Sequence, residues 1–220
     1  MAELFLVRHA QASYGSGNYD QLSPLGHEQS QLLGQYFKER EITFDKLICG
    51  DMQRHKETLT GITGAFKNVE INHQWNEFAF EDVINAFLKQ HPELTPAKDS
   101  SRKQWYRVLK AAMVAWSENR INENLPETWE DFQSRVKQAS KKIAVGTEKK
   151  VLVVSSGGAI AVFLQQLFDL TPSQAVNFNL QIKNSSLHHF YFNKEGFQMS
   201  SFNSIPHLEP LSLMEKITYS

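Results

Sequence analysis

Two stretches of the chain decide the fold: LFLVRHAQAS at residues 4–13 and VLVVSSGGAIAVFL at residues 151–164. In the first, an apolar run of strand character ends on an Arg-His pair. In the second, four apolar residues rich in β-branching end on two serines and two glycines, after which a helical pattern begins. Such an apolar run is typical of a parallel strand that is buried on both faces. Each stretch therefore predicts a strand that delivers polar side chains to the loop at its carboxyl end.

Strand and helix signals alternate outward from these stretches, which predicts one α/β domain over residues 1–220. We expect a three-layer α/β/α sandwich with a mostly parallel central sheet. A polar loop with glycines is predicted at residues 11–23, and a helical lid insertion is predicted at about 80–125. The predicted strands are 4–7, 46–49, 69–71, 151–154, 176–182, 186–192 and 197–202, and the clearest helices are 24–39, 52–66 and 159–168.

Composition and charge exclude several classes of protein. Lys and Arg number 23 against 24 Asp and Glu, so the basic surplus of a nucleic-acid-binding protein is missing. The most apolar window, residues 151–164, is too short to span a bilayer and is interrupted by glycines. The single cysteine, Cys49, excludes an intrachain disulfide. The first residues lack the pattern of a secretory signal, and we expect a cytoplasmic protein with neither nucleic-acid nor membrane partners.

Polar residues follow three of the predicted strands. Arg8 and His9 follow the first strand, Arg54 follows the second at the start of a helix, and Ser156 and Gly157 follow the central strand where another helix begins. Sites in open α/β sheets form beyond the carboxyl ends of the strands. Two guanidinium groups and a helix N-terminus suit a phosphoryl group. A neutral imidazole beside them can attack phosphorus.

Several motifs in chain order resemble those of the histidine phosphatase superfamily, which includes the cofactor-dependent phosphoglycerate mutases. LFLVRHAQAS is similar to the family's strand and Arg-His pair, and DQLSPLGHEQSQLLG to its next helix opening. KLICGDMQRHKETL resembles the pattern S-x-x-x-R-x-x-x-T, with Arg54 and Thr58 in register. WNEFAFED resembles the stretch with the family's acidic residue, and KNSSLHHF a later strand. The resemblance spans nearly the whole chain and implies the α/β/α fold.

The resemblance also implies roles for individual residues. His9 would take the phosphoryl group as a phosphohistidine, and Arg8 and Arg54 would bind its oxygens. Glu77 would donate a proton to the leaving group, with Glu81 as the competing candidate for this role. The resemblance implies no metal and no cofactor.

The chain departs from the family pattern at Ser156, where the family has a histidine that completes the phosphate pocket. A serine hydroxyl donates one hydrogen bond and carries no positive charge. Losing one preorganised donor commonly costs about 10²–10³ in rate, so we expect a slowed enzyme. His55 follows Arg54 on the same helix and is rotated about 100° from it, so we expect it to point away from the pocket.

Two functions remain open on the sequence alone. The first is hydrolysis of a phosphate monoester through His9, with attenuated activity; a mutase is less favoured because Ser156 weakens proton management. The second is a catalytically silent module that binds a phosphorylated ligand or phosphoprotein. The expected partner is a small phosphorylated substrate or a phosphoprotein. Oligomeric state stays open, with a homodimer as one option, and the tail at 204–220 either folds back or contacts a second subunit.

Overall fold

The computed structural model describes residues 1–13, 20–97, 99–121 and 123–219. Part of the polar loop predicted at 11–23, namely residues 14–19, lies outside them. Within these residues one six-stranded sheet has the order β3-β2-β4-β1-β5-β6. Its strands are β1 (Ala2–Arg8), β2 (Lys46–Cys49), β3 (Val69–Ile71), β4 (Lys150–Ser155), β5 (Leu187–Asn193) and β6 (Gly196–Ser204).

The helices cover both faces of this sheet. They are α1 (Pro24–Glu39), α2 (Gln53–Thr63), α3 (Phe80–Gln90), α4 (Arg102–Ser117), α5 (Trp129–Ala144), α6 (Gly157–Phe168) and α7 (Pro172–Asn179). Three strand pairings, β3–β2, β2–β4 and β4–β1, are parallel, and the two made by β5 are antiparallel. The predicted α/β fold with a mostly parallel sheet is therefore confirmed.

Alternate residues of β1 belong to two separate hydrophobic cores. Leu4 and Leu6 belong to the larger core, under α3 to α7, whereas Phe5 and Val7 belong to the smaller core under α1 and α2. Successive strand side chains point to opposite faces, so a central strand that is apolar throughout must be covered on both sides. This burial fixes β1 in the middle of the sheet and places its last residue, Arg8, at the carboxyl edge.

One predicted strand is wrong. Residues 176–182 were expected to be extended, but Pro172–Asn179 forms α7. Thr171 caps this helix by accepting from the Gln174 amide, and the Gln174 side chain returns to the Thr171 backbone. This reciprocal capping box, with proline at the first helical position, is a strong helix-start signal that outweighs the strand character of the residues after it.

The segment expected to form a lid, residues 80–125, contains α3 and α4. Their inner faces place Phe87, Met113 and Trp116 in the same core as the sheet. The Trp116 ring stacks on Phe78 at a centroid distance of 4.8 Å. Because Phe78 follows Glu77 directly, this packing supports the loop that carries the candidate acid.

The helices α1 and α2 pack closely against each other. A Cβ added at Gly34 would lie 2.3 Å from the Ile62 carbonyl oxygen, which belongs to the backbone of α2. Only a glycine lets the two helices come this close. The position of α2 matters because its first turn carries Arg54.

We predict that Gly34→Ala destabilises the protein by about 1–3 kcal/mol through this overpacking. Helix propensity alone would favour alanine by about 1 kcal/mol, so the sign of the change distinguishes the two effects. Urea unfolding followed by circular dichroism measures it. Gln31→Ala, an exposed position of the same helix, is the control and should shift stability by less than about 0.5 kcal/mol. A stabilised Gly34→Ala protein would contradict the tight helix contact.

Candidate active site

His9 is a buried imidazole with a defined tautomer. Its Nδ1 lies 2.8 Å from the carbonyl oxygen of Ala10, and a carbonyl only accepts, so Nδ1 carries the proton. Nε2 therefore keeps its lone pair. Burial, followed by the positive charges of Arg54 and Arg8, holds the pKa of His9 well below 6.5. The ring is thus neutral at ordinary pH, which is the state that a nucleophile requires.

The backbone around His9 is anchored from three elements. The His9 carbonyl oxygen accepts from the Ser185 amide at 3.2 Å and from the Asn184 side chain at 3.3 Å. The Ala10 amide donates to Thr58 Oγ1 of α2 at 3.0 Å. The His9 amide donates to the Ser155 carbonyl oxygen at 2.8 Å. These bonds hold the imidazole at the junction of β1, β4 and α2.

Two of the predicted site residues, Arg8 and Arg54, lie close enough to this imidazole for their charges to act on it. Arg8 donates to the carbonyl oxygens of Ile182 and, at 2.8 Å, of Tyr219. Its Nε lies 3.6 Å from the position of a Cβ built on Gly157, so the guanidinium lies close to the N-terminus of α6. Arg54 is buried and pairs with Asp20 at 2.6 Å. Two guanidinium groups and a helix N-terminus thus converge beside His9, an arrangement that suits a phosphoryl group.

Glu77 meets the same helix N-terminus. Its Oε2 accepts from the Gly158 amide at 3.1 Å, and its Oε1 accepts from the Phe78 amide at 3.3 Å. A Cβ on Gly158 would lie 2.1 Å from Oε1, so the glycine makes room for the carboxyl group. Burial raises the pKa of Glu77, against the opposing effect of the two amides and of the arginines. A carboxyl group with a raised pKa is suited to donate a proton.

The competing acid, Glu81, lies elsewhere. It is an exposed residue in the first turn of α3, where an acidic side chain stabilises the helix dipole. The structure thus brings together the six predicted site residues and leaves Glu81 at the surface. The six are Arg8, His9, Arg54, Glu77, Ser156 and Gly157.

His55 lies in the site, and the expectation that it points away is wrong. Its Nε2 is 2.7 Å from Ser156 Oγ, and its ring centroid is 5.7 Å from that of His9. Side chains in the first turn of a helix lean toward its N-terminus. Because the N-terminus of α2 faces the sheet edge, consecutive residues such as Arg54 and His55 both reach the pocket from different directions. A rotation of about 100° along one helix does not remove a residue from a site that the helix end adjoins.

Sequence reasoning also missed residues that position the site. Arg135 of α5 donates to the carbonyl oxygens of Gln74 and Asn76 at 2.9 and 2.8 Å, and so fixes the loop before Glu77. No motif in the sequence marked it. Asn179, in the segment misread as a strand, has its Oδ1 2.4 Å from the Cβ position of Gly157. The capping box of α7 was the signal that could have placed it.

The tail at 204–220, as far as it is described, folds back on the domain. The Thr218 carbonyl oxygen accepts from the Asn184 amide at 2.9 Å, and Lys216 pairs with Glu28 of α1 at 3.0 Å. The carbonyl oxygen of Tyr219 reaches Arg8, as described above. The first of the two expectations for the tail therefore holds, and the tail borders the candidate site.

The described residues show neither a group of side chains suited to a metal ion nor a membrane-spanning helix. Within that part of the chain, no three His, Cys, Asp or Glu side chains are grouped so that they could hold a metal ion. None of the helices described is long and apolar enough to cross a membrane.

Known proteins match this chain in sequence and in structure. A broad-specificity phosphatase of Saccharomyces cerevisiae is 25% identical over 181 residues, which cover 74% of this chain and 69% of that protein. A phosphoserine phosphatase from Entamoeba histolytica, in complex with 3-phosphoglyceric acid, superposes with a TM-score of 0.65 at 21% identity, covering 94% of this chain and 100% of that one. A mycobacterial glucosyl-3-phosphoglycerate phosphatase with inorganic phosphate gives 0.65 at 18% identity, covering 95% and 100%.

The model of the histidine phosphatase superfamily (branch 1) matches residues 4–205, which include every residue of the candidate site. This match and the phosphatase-named relatives together support a phosphatase. By the extent of the match, the chain belongs to the histidine phosphatase superfamily.

Proposed function

We propose that the protein hydrolyses a phosphate monoester through a phosphohistidine at His9. The observation that carries the proposal is the fixed tautomer of this buried, neutral imidazole. Nδ1–H is held by the Ala10 carbonyl oxygen, which leaves the Nε2 lone pair beside two arginines. The superfamily match and the phosphatase names of the relatives support the same activity.

The reaction runs in two steps. In the first, Nε2 of His9 attacks phosphorus, the bond from phosphorus to the ester oxygen breaks, and protonated Glu77 gives its proton to the departing alkoxide. Arg8 and Arg54 hold the phosphoryl oxygens as their charge redistributes. In the second, the Glu77 carboxylate takes a proton from a water molecule while the oxygen of that water attacks phosphorus. The phosphorus–nitrogen bond breaks, phosphate is released, and His9 returns to its neutral form.

The proposal also includes the class of substrate, a role for the helical insertion, the cellular location and the rate of turnover. The substrate is a small phosphorylated molecule or a phosphoprotein, and the relatives include enzymes named for phosphoserine and glucosyl-3-phosphoglycerate. Residues 80–125 act as a lid, and the protein is cytoplasmic. Ser156 offers the phosphoryl group an uncharged hydroxyl, so turnover is attenuated.

A second candidate is a silent module that binds phosphate ligands. The observation that favours it is Ser156 itself, because the hydroxyl keeps a hydrogen-bond donor in the pocket but carries no charge. Such a module needs the arginines and the N-terminus of α6. It has no use for a nucleophile with a fixed tautomer, which is why hydrolysis is preferred.

Replacing His9 by alanine should abolish hydrolysis of para-nitrophenyl phosphate, with kcat falling at least about 10³-fold because the covalent route is lost. The wild-type protein, quenched during turnover, should carry an acid-labile phosphate that ³¹P NMR assigns to a histidine nitrogen. His189→Ala is the matched control, since that imidazole contacts Glu3 near the amino end of β1. Hydrolysis that survives in His9→Ala would refute the proposal. A wild-type protein that binds inorganic phosphate without turnover would support the binding module.

The role of Glu77 as acid predicts a dependence on the leaving group. Glu77→Gln should lower kcat about 10²–10⁴-fold on an alkyl phosphate, whose alkoxide must be protonated as it leaves. The loss should be much smaller on para-nitrophenyl phosphate, whose phenolate leaves without a proton. Glu81→Gln is the control and should leave both rates within twofold. Equal losses on the two substrates after Glu77→Gln would show that the carboxyl group is not the proton donor.

The pKa shifts predict the pH profile of kcat/KM. The active form has His9 neutral and Glu77 protonated, and the pKa of His9 is lowered while that of Glu77 is raised. Activity should therefore persist well below pH 6.5 and be lost as pH rises through the raised pKa of Glu77. The alkaline limb should disappear in Glu77→Gln. A limb that persists in this variant would belong instead to the substrate, whose second phosphate pKa is about 6.

A further inference from the structure

We propose that His55 is a positioning residue of the phosphate pocket that acts through the hydroxyl group of Ser156. This inference rests on the function proposed above and deepens it. In this arrangement the hydroxyl group of Ser156 contacts the phosphoryl oxygen, and His55 orients that hydroxyl group.

The contacts of Ser156 support this arrangement. Ser156 occupies the N-cap of α6, but its side chain makes no capping bond to the helix amides among the described residues. Its Oγ lies instead 2.7 Å from His55 Nε2, and both residues are fully buried. The orientation of the hydroxyl group is therefore set by His55, and the serine does not simply cap a helix.

The direction of this hydrogen bond follows from the other ring nitrogen. Nδ1 of His55 is buried and has no hydrogen-bond partner in the part of the chain that is described. A buried N–H without a partner is rarer than a buried acceptor without one, so the proton belongs on Nε2. His55 then donates to Ser156 Oγ, and the serine proton must point to a different acceptor.

That acceptor is a phosphoryl oxygen in the pocket. The His55 ring lies beside His9, with 5.7 Å between the centroids, and Ser156 begins the helix whose next residue lies by Arg8. The result is two hydrogen bonds in series: His55 Nε2–H donates to Ser156 Oγ, and the Ser156 hydroxyl proton is donated to the phosphoryl oxygen. No bond to phosphorus is made by either residue, and the donor strengthens as charge develops on that oxygen in the transition state.

The surroundings of His55 are shaped to hold its ring. A Cβ at Gly50 would lie 2.1 Å from His55 Nδ1 and 2.7 Å from Asn76 Oδ1, so any other residue at 50 would displace the imidazole. Burial, Arg54 and Lys56 lower the pKa of His55, which agrees with a neutral donor. An imidazole and a hydroxyl in series thus occupy the place for which a single imidazole at position 156 would suffice.

Relocating the imidazole tests the inference. The variants are His55→Ala, Ser156→Ala, the double alanine variant, Ser156→His, and His55→Ala combined with Ser156→His. Each is assayed for kcat and KM on para-nitrophenyl phosphate, with His189→Ala as the matched loss of an imidazole elsewhere. Thermal unfolding of each variant measures the share of folded protein, and rates are expressed per folded molecule.

We expect His55→Ala and Ser156→Ala each to lower kcat about 100-fold with KM changed less than threefold, because Arg8 and Arg54 still bind the substrate. The double alanine variant should lose no more than either single one, since the two groups act as a unit. Ser156→His alone should stay slow, because its ring competes with that of His55 for the same space. The variant that combines His55→Ala with Ser156→His should reach at least the wild-type kcat.

Three results would overturn the inference while leaving the proposed function standing, provided that turnover needs His9. The first is a kcat of His55→Ala within threefold of wild type, and the second is additive losses of kcat in the double alanine variant. The third is a kcat that stays low when His55→Ala is combined with Ser156→His. Absence of His9-dependent turnover in the wild type would overturn the proposed function and the inference with it. A merely structural role for His55 predicts a loss that Ser156→His cannot restore.

A binding measurement gives a readout that does not depend on turnover. In ¹⁵N NMR of histidine-labelled protein, inorganic phosphate should shift the ring resonances of both His9 and His55 and leave His189 unmoved. Ser156→Ala should abolish the shift at His55 and keep that at His9. A His55 resonance that phosphate leaves unmoved in the wild type would overturn the inference.

Discussion

The hydrogen bond from His9 Nδ1 to the Ala10 carbonyl oxygen is the constraint on which the rest of the site depends. It sends the lone pair of the imidazole away from the backbone, toward the side where Arg8 and Arg54 lie. The backbone of His9 and Ala10 is held in place by Thr58 of α2 and by Ser185 before β5. The buried central strand, the helix at its edge and the loop beyond it therefore all serve to fix one tautomer.

Burial then acts on the two titratable groups in opposite directions. It favours the neutral form of each, so it lowers the pKa of His9 and raises that of Glu77. One buried environment thus favours the neutral form of both the candidate nucleophile and the candidate acid. The arginines reinforce the first effect and oppose the second. The amide of Gly158 also opposes the second, and it holds the carboxyl group at the helix N-terminus that phosphate would approach.

The fold and the convergence of the site could be predicted from the sequence because both follow from burial. A strand apolar on both faces, such as 151–154, has to lie inside a covered sheet, and its carboxyl end then meets that of β1. The errors have a different origin. Residues 176–182 were predicted as a strand from their strand character, although the capping box at Thr171 starts a helix just before them. Arg135 contributes through backbone carbonyls of a distant loop, and a pairing of this kind leaves no pattern in the sequence.

His55 shows why a departure from a family pattern is better judged in three dimensions than position by position. The resemblance in sequence led us to expect a serine where this chain has Gly50 and a histidine where it has Ser156. Considered separately, each difference removes a side chain that the pattern has at that position. In the structure both positions adjoin the His55 ring: Gly50 leaves it space, and Ser156 Oγ lies within hydrogen-bond distance of its Nε2. Under our proposal the two positions act together, because Gly50 leaves space for the imidazole of His55 and the hydroxyl group of Ser156 links that imidazole to the pocket.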